Sequence, residues 1–302
     1  MTVSESMTSQ SALRVANRKP LVVVGIVTHN RASILPKAIQ SAFSQSYPNV
    51  EVDVLDDGSD DGTSALQSDF PGVYWQKWES ARGHVDARNH LMRTASADYY
   101  LSLDDDAWFL ERDEVAVAIA HMEDNPRVAG LAFDILSPDR PNPAARSAPR
   151  PTSMFIGCGH LLRISALREC GFYVPSPGLY GSEEKDLCLR LLDGHWDIHH
   201  LPGVHVWHDK TAIARDRAAQ HRSGVCNDLV FALRRCPLPL MLAILPAKMM
   251  SHLRFAVRRR LLRPCVQGFG LFLRHAFVVW QSRNPVRPET FAEFLRRSRE
   301  LQ

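Results

Sequence analysis

No two of the six cysteines form a CxxC pair, and Cys158, Cys170, Cys188, Cys226, Cys236 and Cys265 are scattered along the chain. A chain without a cysteine framework fits a reducing cytoplasm better than secretion. The first twenty residues, MTVSESMTSQSALRVANRKP, have no apolar core of the kind a signal peptide carries. They are polar and expected to be disordered. No apolar stretch reaches the roughly 18 residues of a membrane-spanning helix; PLPLMLAILPA is short and broken by prolines, so no span is expected. There is no internal repeat and no EF-hand spacing. Acidic residues are absent from Leu229 to Pro288, a stretch that holds eleven lysines and arginines from Arg234 to Arg287. The formal charge of +3 over 302 residues hides that asymmetry. A basic segment of this kind points to an anionic surface, either lipid or nucleic acid.

The 45% hydrophobic content suits one large domain with an appended segment. LVVVGIVTHN (21–30) is a nearly continuous β-branched run that reads as a strand buried on both faces. ASILPKAIQSAFSQ then repeats apolar residues at helical spacing. VEVDVLDDGSDDGT is a second strand breaking into a turn, followed by a helix restart with Thr63 as its expected N-cap. VYWQKW is a third strand, GHVDARNHLMRTA a helix, and YYLSL a fourth strand ending at Asp104, Asp105 and Asp106. Strand and helix alternate, as in a doubly wound α/β sheet, where ligands bind beyond the carboxyl ends of the strands. Asn30, Asp57 and the three aspartates sit at such ends. SPDRPNPAARSAPRP reads as a mobile loop. MFIGCGHLLRI, with two glycines, reads as a strand or bend where something approaches closely. SEEKDLCLRLLDGHW is a helix with Ser182 as N-cap and Gly194 at its end. IHHLPGVHVWH is a strand, and from Leu229 onward the pattern is helical, apolar and basic.

Three adjacent carboxylates repel one another. A solvated turn accounts for them, and so does a divalent cation, since hard ions such as Mg²⁺ and Mn²⁺ take carboxylate oxygens together with substrate phosphates. His208 strengthens the second reading. His205 lies nearby and competes for that role, although residues three apart in a strand face opposite ways. Glu183 and Glu184 in a first helical turn complement the helix dipole, or one of them serves as a general base. Arg88 and Asn89 suit either a surface helix or contact with a phosphate or base, and Asp57 suits an Asx turn.

The order of these features, VGIVTHNR, LDDGSDDGT, GHVDARNHLM, ADYYLSLDDDAW and GSEEKDLCLRLLDGHWDIHHLPGVHVWH, closely resembles the family 2 glycosyltransferases of GT-A fold across about residues 21–208. His29 stands where a Tyr is more usual. The resemblance implies a Rossmann-like, mostly parallel sheet, and an inverting transfer from a nucleotide-diphosphate sugar. It divides the chain into a nucleotide-binding half (21–110), an acceptor half (111–225) and a basic helical extension (226–302). It also implies roles. Thr28, Asn30 and Asp57 would line the base pocket, Arg31 would join them in binding the nucleotide sugar, Arg88 would reach the nucleotide and Asp105 the ribose. Asp104 and Asp106 would form a DxD motif that holds Mn²⁺ or Mg²⁺, with His208 as third ligand. Glu184 would be the base, with Glu183 as the alternative and Asp186 orienting the acceptor. His160 and Trp207 would line the acceptor side.

The implied donor is a UDP- or dTDP-sugar, and the acceptor a saccharide, lipid-linked or small-molecule hydroxyl in polysaccharide or glycoconjugate synthesis. The acceptor half most resembles the rhamnosyl- and galactofuranosyl-transferase branch. A nucleotidyltransferase would carry a Gly-rich basic loop after the first strand, and VTHNRASILP is not one. A non-catalytic nucleotide-sugar or lipid-binding scaffold would not need Asp106, Glu184 and His208 together. The basic region 229–288 either caps the sheet or meets an anionic membrane at the cytoplasmic face. No nucleic-acid partner is expected, since the region has no recognised module and little aromatic interleaving.

Overall fold

The computed structural model describes residues 18–142, 148–210 and 216–299. The expected disordered segment 1–20 lies almost wholly outside them, as does the centre of the Pro- and Arg-rich loop. In chain order the elements are β1 (Val22–Thr28), α1 (Leu35–Phe43), β2 (Val50–Asp56), β3 (Tyr74–Lys77), α2 (His84–Thr94), β4 (Tyr99–Asp104), β5 (Ala107–Phe109), α3 (Glu114–Asp124), β6 (Val128–Leu136), β7 (Arg150–Pro151), β8 (Gly159–Arg163), α4 (Ile164–Cys170), α5 (Glu183–Asp193), β9 (Asp197–His208), α6 (Arg217–Arg235), α7 (Leu238–Arg259), α8 (Leu262–Gln281) and α9 (Pro288–Arg299).

The strands build one sheet in the order β3-β2-β1-β4-β8-β6-β9-β5, with the two-residue β7 on β9. The first four strands are parallel, as alternating strands and helices require. Beyond β4 the sheet is mixed: β8 runs antiparallel to β4 and β6, β6 and β9 are parallel, and β5 is antiparallel to β9. Two cores lie on its two faces. One gathers Leu35 and Ile39 of α1 with Val115, Ile119 and Met122 of α3. The other gathers Leu91 of α2, Leu167 of α4, Leu187 and Leu191 of α5, and buried residues of α6 to α9. Burial on both faces explains why β1 reads as an unbroken apolar run.

Several local expectations change. Residues Gly62–Asp69 form a 3₁₀ helix, and its N-cap is Asp61, whose carboxylate accepts from the Thr63 N–H at 2.8 Å. Ser182 stands at the N-cap position of α5 but makes no capping bond, because it sits in the left-handed region at φ 74°. Helix α6 runs unbroken across the expected boundary between residues 225 and 226. Finally, PLPLMLAILPA does not stay short. It opens the 22-residue helix α7, which is long and apolar enough by length and composition to match a membrane span. Proline in the first turn is free of the missing N–H penalty. Pro246, inside the helix, deprives only the carbonyl of Leu242, whose side chain is 71% exposed. Lys248 and His252 tie the middle of α7 to Asp228 of α6 at 2.7 and 3.1 Å.

Candidate active site

The parallel strands bring their carboxyl ends to one edge. Thr28 of β1 lies opposite Asp56 of β2, and Val27 lies opposite Asp104 of β4. Asn30 leaves β1 at φ 54°, a conformation Asn tolerates better than most residues. Its N–H donates to Ser59 Oγ at 2.9 Å, and its Oδ1 accepts from the Asp60 N–H at 2.9 Å. These two bonds staple the loops after β1 and β2. Asp57 accepts from the backbone N–H groups of Arg82 and Gly83 at 2.7 and 2.9 Å. It thereby fixes the loop that feeds α2, and each of its oxygens keeps further accepting capacity.

Asp104 ends β4 and Asp106 precedes β5. Pairing of β5 with β9 sets Ala107 opposite His208. That register delivers the His208 imidazole to Asp106, with Nε2 3.2 Å from Oδ1. Asp104, Asp106 and His208 each offer one ligand atom, all within 4.8 Å of one another. His205 takes the opposite direction: its N–H donates to Glu114 at 2.8 Å and its ring approaches Asp134. The geometry thus selects His208 of the two.

The aspartates also have partners within the chain. Arg88 pairs with Asp104, and Arg31 Nη1 lies 2.6 Å from Asp105 and 3.2 Å from Asp106. Burial pushes the Asp105 carboxyl up to about 6; Arg31 opposes the shift and the neighbouring aspartates add to it.

Helix α5 brings the glutamates to the same place. Glu183 is 2.8 Å from His84 Nε2, and that ring stacks on Tyr180 with centroids 5.2 Å apart. Burial raises the Glu183 carboxyl, but the hydrogen bond and charge of His84 outweigh it and hold it below its ordinary value. Glu184 lies 3.4 Å from Arg88 Nη1. Burial first, and the Glu183 charge second, push its carboxyl up to about 7 against the pull of Arg88. One guanidinium therefore bridges Glu184 to Asp104. Five carboxylates (Asp104, Asp105, Asp106, Glu183 and Glu184) meet two guanidiniums here, a surplus of negative charge beside an O,O,N donor set.

Gly157 makes the close approach possible. A Cβ there would stand well inside van der Waals contact of Glu184 Oε1 and 3.1 Å from Arg88 Nη1. Gly157→Ala is expected to leave the fold intact and to displace the Glu184 carboxylate; with Glu184 as the expected base, turnover should fall at least about tenfold, the cost of an ångström of misplacement. Thermal unfolding together with a transfer assay checks it.

Other candidates stand elsewhere. Asp186 is committed to Arg190 at 2.8 Å and to Arg235 at 2.7 Å, so it anchors α5 to α6 rather than facing an acceptor. His160 is fully buried, stacked on Phe155 and hydrogen-bonded to the Tyr173 hydroxyl at 3.0 Å. It is a core residue, not an acceptor wall, and burial together with Arg88 keeps its ring neutral. Asn89 exchanges two hydrogen bonds with the backbone of Tyr173. Trp207 lies opposite Trp108 with ring centroids 6.3 Å apart, on the face of the ribbon away from His208. The two tryptophans line a depression of about 480 Å³ with Ser33, Ile34, Lys37 and Asp209. His84, Gly157 and Arg235 were not singled out from sequence. Only the paired glycines of FIGCG gave a signal, as a site of close approach.

Known proteins place this geometry in context. EpsE of Bacillus subtilis, a protein named as a glycosyltransferase, is 28% identical over 193 residues, which cover 59% of this chain and 68% of that one. Other relatives match over a smaller part: the glycosyltransferase RT0329 of Rickettsia typhi is 29% identical over 110 residues, 36% of this chain and 35% of its own. The chain thus spans about a third of that relative. Among solved structures, Staphylococcus aureus TarS (residues 1–349, in complex with UDP-GlcNAc) superposes with a TM-score of 0.62 at 14% identity, covering 93% of this chain and 92% of that one. Likeness at that identity speaks for the fold, a GT-A-like mixed α/β domain. The Glycosyl transferase family 2 model matches residues 23–173, which hold the edge from Thr28 to Asp106 and Gly157, while Glu184 and His208 follow it. Half of the chain, the polar strand ends from Thr28 to Asp106 included, is accounted for by that match, and the protein is a glycosyltransferase of family 2.

Proposed function

We propose that this glycosyltransferase moves a sugar from a UDP- or dTDP-sugar to a hydroxyl acceptor by a single inverting displacement with Glu184 as base. The observation that carries the reading is the bridge of Arg88 between Glu184 and Asp104, which holds base and donor site at a fixed separation. Asp106, Asp104 and His208 would hold Mn²⁺ or Mg²⁺, and the excess of carboxylates beside them fits a dication. The bound ion would neutralise charge developing on the leaving diphosphate. Thr28, Asn30, Arg31 and Asp57 would orient the nucleoside, and Asp105, locked by Arg31, the ribose. Glu184 takes the proton of the acceptor hydroxyl, for which a raised pKa suits it at neutral pH. Glu183, tied to His84, keeps the repulsion that raises its neighbour. A saccharide, lipid-linked or small-molecule acceptor would serve equally, in polysaccharide or glycoconjugate synthesis at the cytoplasmic face of a membrane. The rhamnosyl- and galactofuranosyl-transferase branch is the favoured one.

The test is a panel of UDP- and dTDP-sugars with a hydroxyl acceptor, read as diphosphate release and, by NMR, as the anomeric configuration of the product. Inversion is expected; retention contradicts the single displacement. The base works only when deprotonated, and its pKa is raised, so the rate is expected to fall as pH drops through about 7. Glu183→Gln removes the repulsion and should move that limb to lower pH. A limb that stays in the ordinary carboxylate range in both proteins contradicts Glu184 as base.

A further inference from the structure

The packing of α7 and α8 leaves a large apolar surface uncovered. Both helices rest on α6 by one side. In α8 the inner side carries Cys265, Phe272 and Val279, and Gly268, where a Cβ would stand 2.6 Å from the Arg222 carbonyl of α6. The outer side carries Leu262, Val266, Leu273, Phe277 and Trp280, one stripe at helical spacing, with Leu273 and Phe277 68% and 69% exposed. In α7, Met241 and Ala256 face inward, whereas Leu242, Met250, Leu253 and Val257 form a second outward stripe. A soluble domain rarely leaves so continuous an apolar surface in water.

The cations are sorted by the same packing. Lys248, Arg235 and Arg287 pair with Asp228, Asp186 and Asp193, and Arg283 donates to backbone carbonyls of Leu233 and Cys236. Arg254, Arg258, Arg259, Arg260 and Arg263 instead crowd the α7–α8 turn, all exposed and without an ion pair among the described residues. Exposed apolar stripes beside unpaired arginines, in a segment without carboxylates, are complementary to a bilayer with anionic headgroups.

We propose that α7 and α8 form an amphipathic hairpin that lies in the surface of an anionic lipid bilayer, with the arginine-rich turn on the headgroups and the two apolar stripes at the acyl boundary. The helices lie along the surface rather than crossing it, because Asp228 of α6 grips Lys248 and His252 at the middle of α7. The same Asp228 holds Lys185 at 2.6 Å, next to Glu184 in α5. The docked hairpin is thereby connected to the helix that carries the proposed base. A surface-bound acceptor would meet that helix in a fixed orientation. This last link rests on Glu184 being the base; the docking itself does not.

The test is co-sedimentation of the full chain with phosphatidylcholine vesicles, with and without about a third phosphatidylglycerol, at low and high salt. Binding is expected only to the anionic vesicles, weakened by salt and released by alkaline carbonate. Replacing Arg258, Arg259, Arg260 and Arg263 by Gln should lower the affinity at least about a hundredfold. Leu273→Ser with Phe277→Ser should weaken it while leaving the charges in place. Unchanged circular dichroism and unchanged nucleotide affinity show that each variant is folded. Equal binding to neutral vesicles, or none to either, overturns the proposal. So does resistance to carbonate, which would mean a crossing helix, or a lipid-independent dimer broken by the Leu273/Phe277 variant, which would mean that a second copy covers the face. Loss of nucleotide binding in the wild-type chain would sink the transferase mechanism and leave the docking result standing.

Discussion

Replacing Glu184 by glutamine is expected to slow sugar transfer by about 10²- to 10⁴-fold, the contribution of a well-placed general base, while nucleotide affinity stays intact. Glutamine keeps the shape that the space above Gly157 accepts, and Arg88 retains its pairing with Asp104. The amide cannot take a proton from the acceptor hydroxyl. Single-turnover rates and nucleotide titration on the same sample separate the two effects. If the variant turns over normally, the base lies elsewhere, and Glu183 is the next candidate. If nucleotide affinity falls as well, Glu184 acts in binding rather than in proton transfer.

Arg88→Met is expected to destabilise the fold by about 2–4 kcal/mol. The change strips Asp104 and Glu184 of their shared cation and leaves two carboxylates close together. Removing one member of a buried pair costs more than the pair contributes, because the remaining charge is desolvated without compensation. The estimate sits below the fully buried case because the Asp104 side chain keeps 27% of its exposure and is partly screened. The sign with pH follows from the same charges. Without Arg88 nothing opposes the upward shift that burial and Glu183 impose on Glu184, so protonation of Glu184 relieves the repulsion as pH falls. The gap to the wild type should be widest at alkaline pH and narrow below neutrality. Urea unfolding at several pH values measures it, and a gap that does not change with pH would assign the loss to packing alone.

The sheet edge was legible because strand-end chemistry is local. A β-branched run that stops at Asn30, a second that stops at Asp56 and Asp57, and the aromatic and aliphatic run that stops at Asp104 each announce a strand end, and parallel connectivity puts them together. The choice of His208 over His205 was open in sequence and is decided by the register of β9 on β5. What neutralises the aspartates was only partly legible. A cation was inferred, but Arg31 and Arg88, which are 74 and 16 residues away from their aspartates in the chain, reach them only after the sheet has formed. His160 looked like a ligand contact because a histidine beside glycines in an apolar run does not show which way it points; the strand turns it inward onto Phe155. The prolines of PLPLMLAILPA do not break helix α7, because Pro237 is its N-cap, Pro239 falls in its first turn and Pro246 lies on an exposed side.

The most direct measurement is calorimetric titration of UDP, dTDP and GDP into the wild-type chain and into Asp106→Ala, each with and without Mn²⁺. One diphosphate should bind with micromolar or tighter affinity only when Mn²⁺ is present, and Asp106→Ala should abolish that binding. Failure of all three to bind, or binding indifferent to the metal and to Asp106, would mean that the aspartates serve another ligand or only a turn, and would contradict the proposed mechanism.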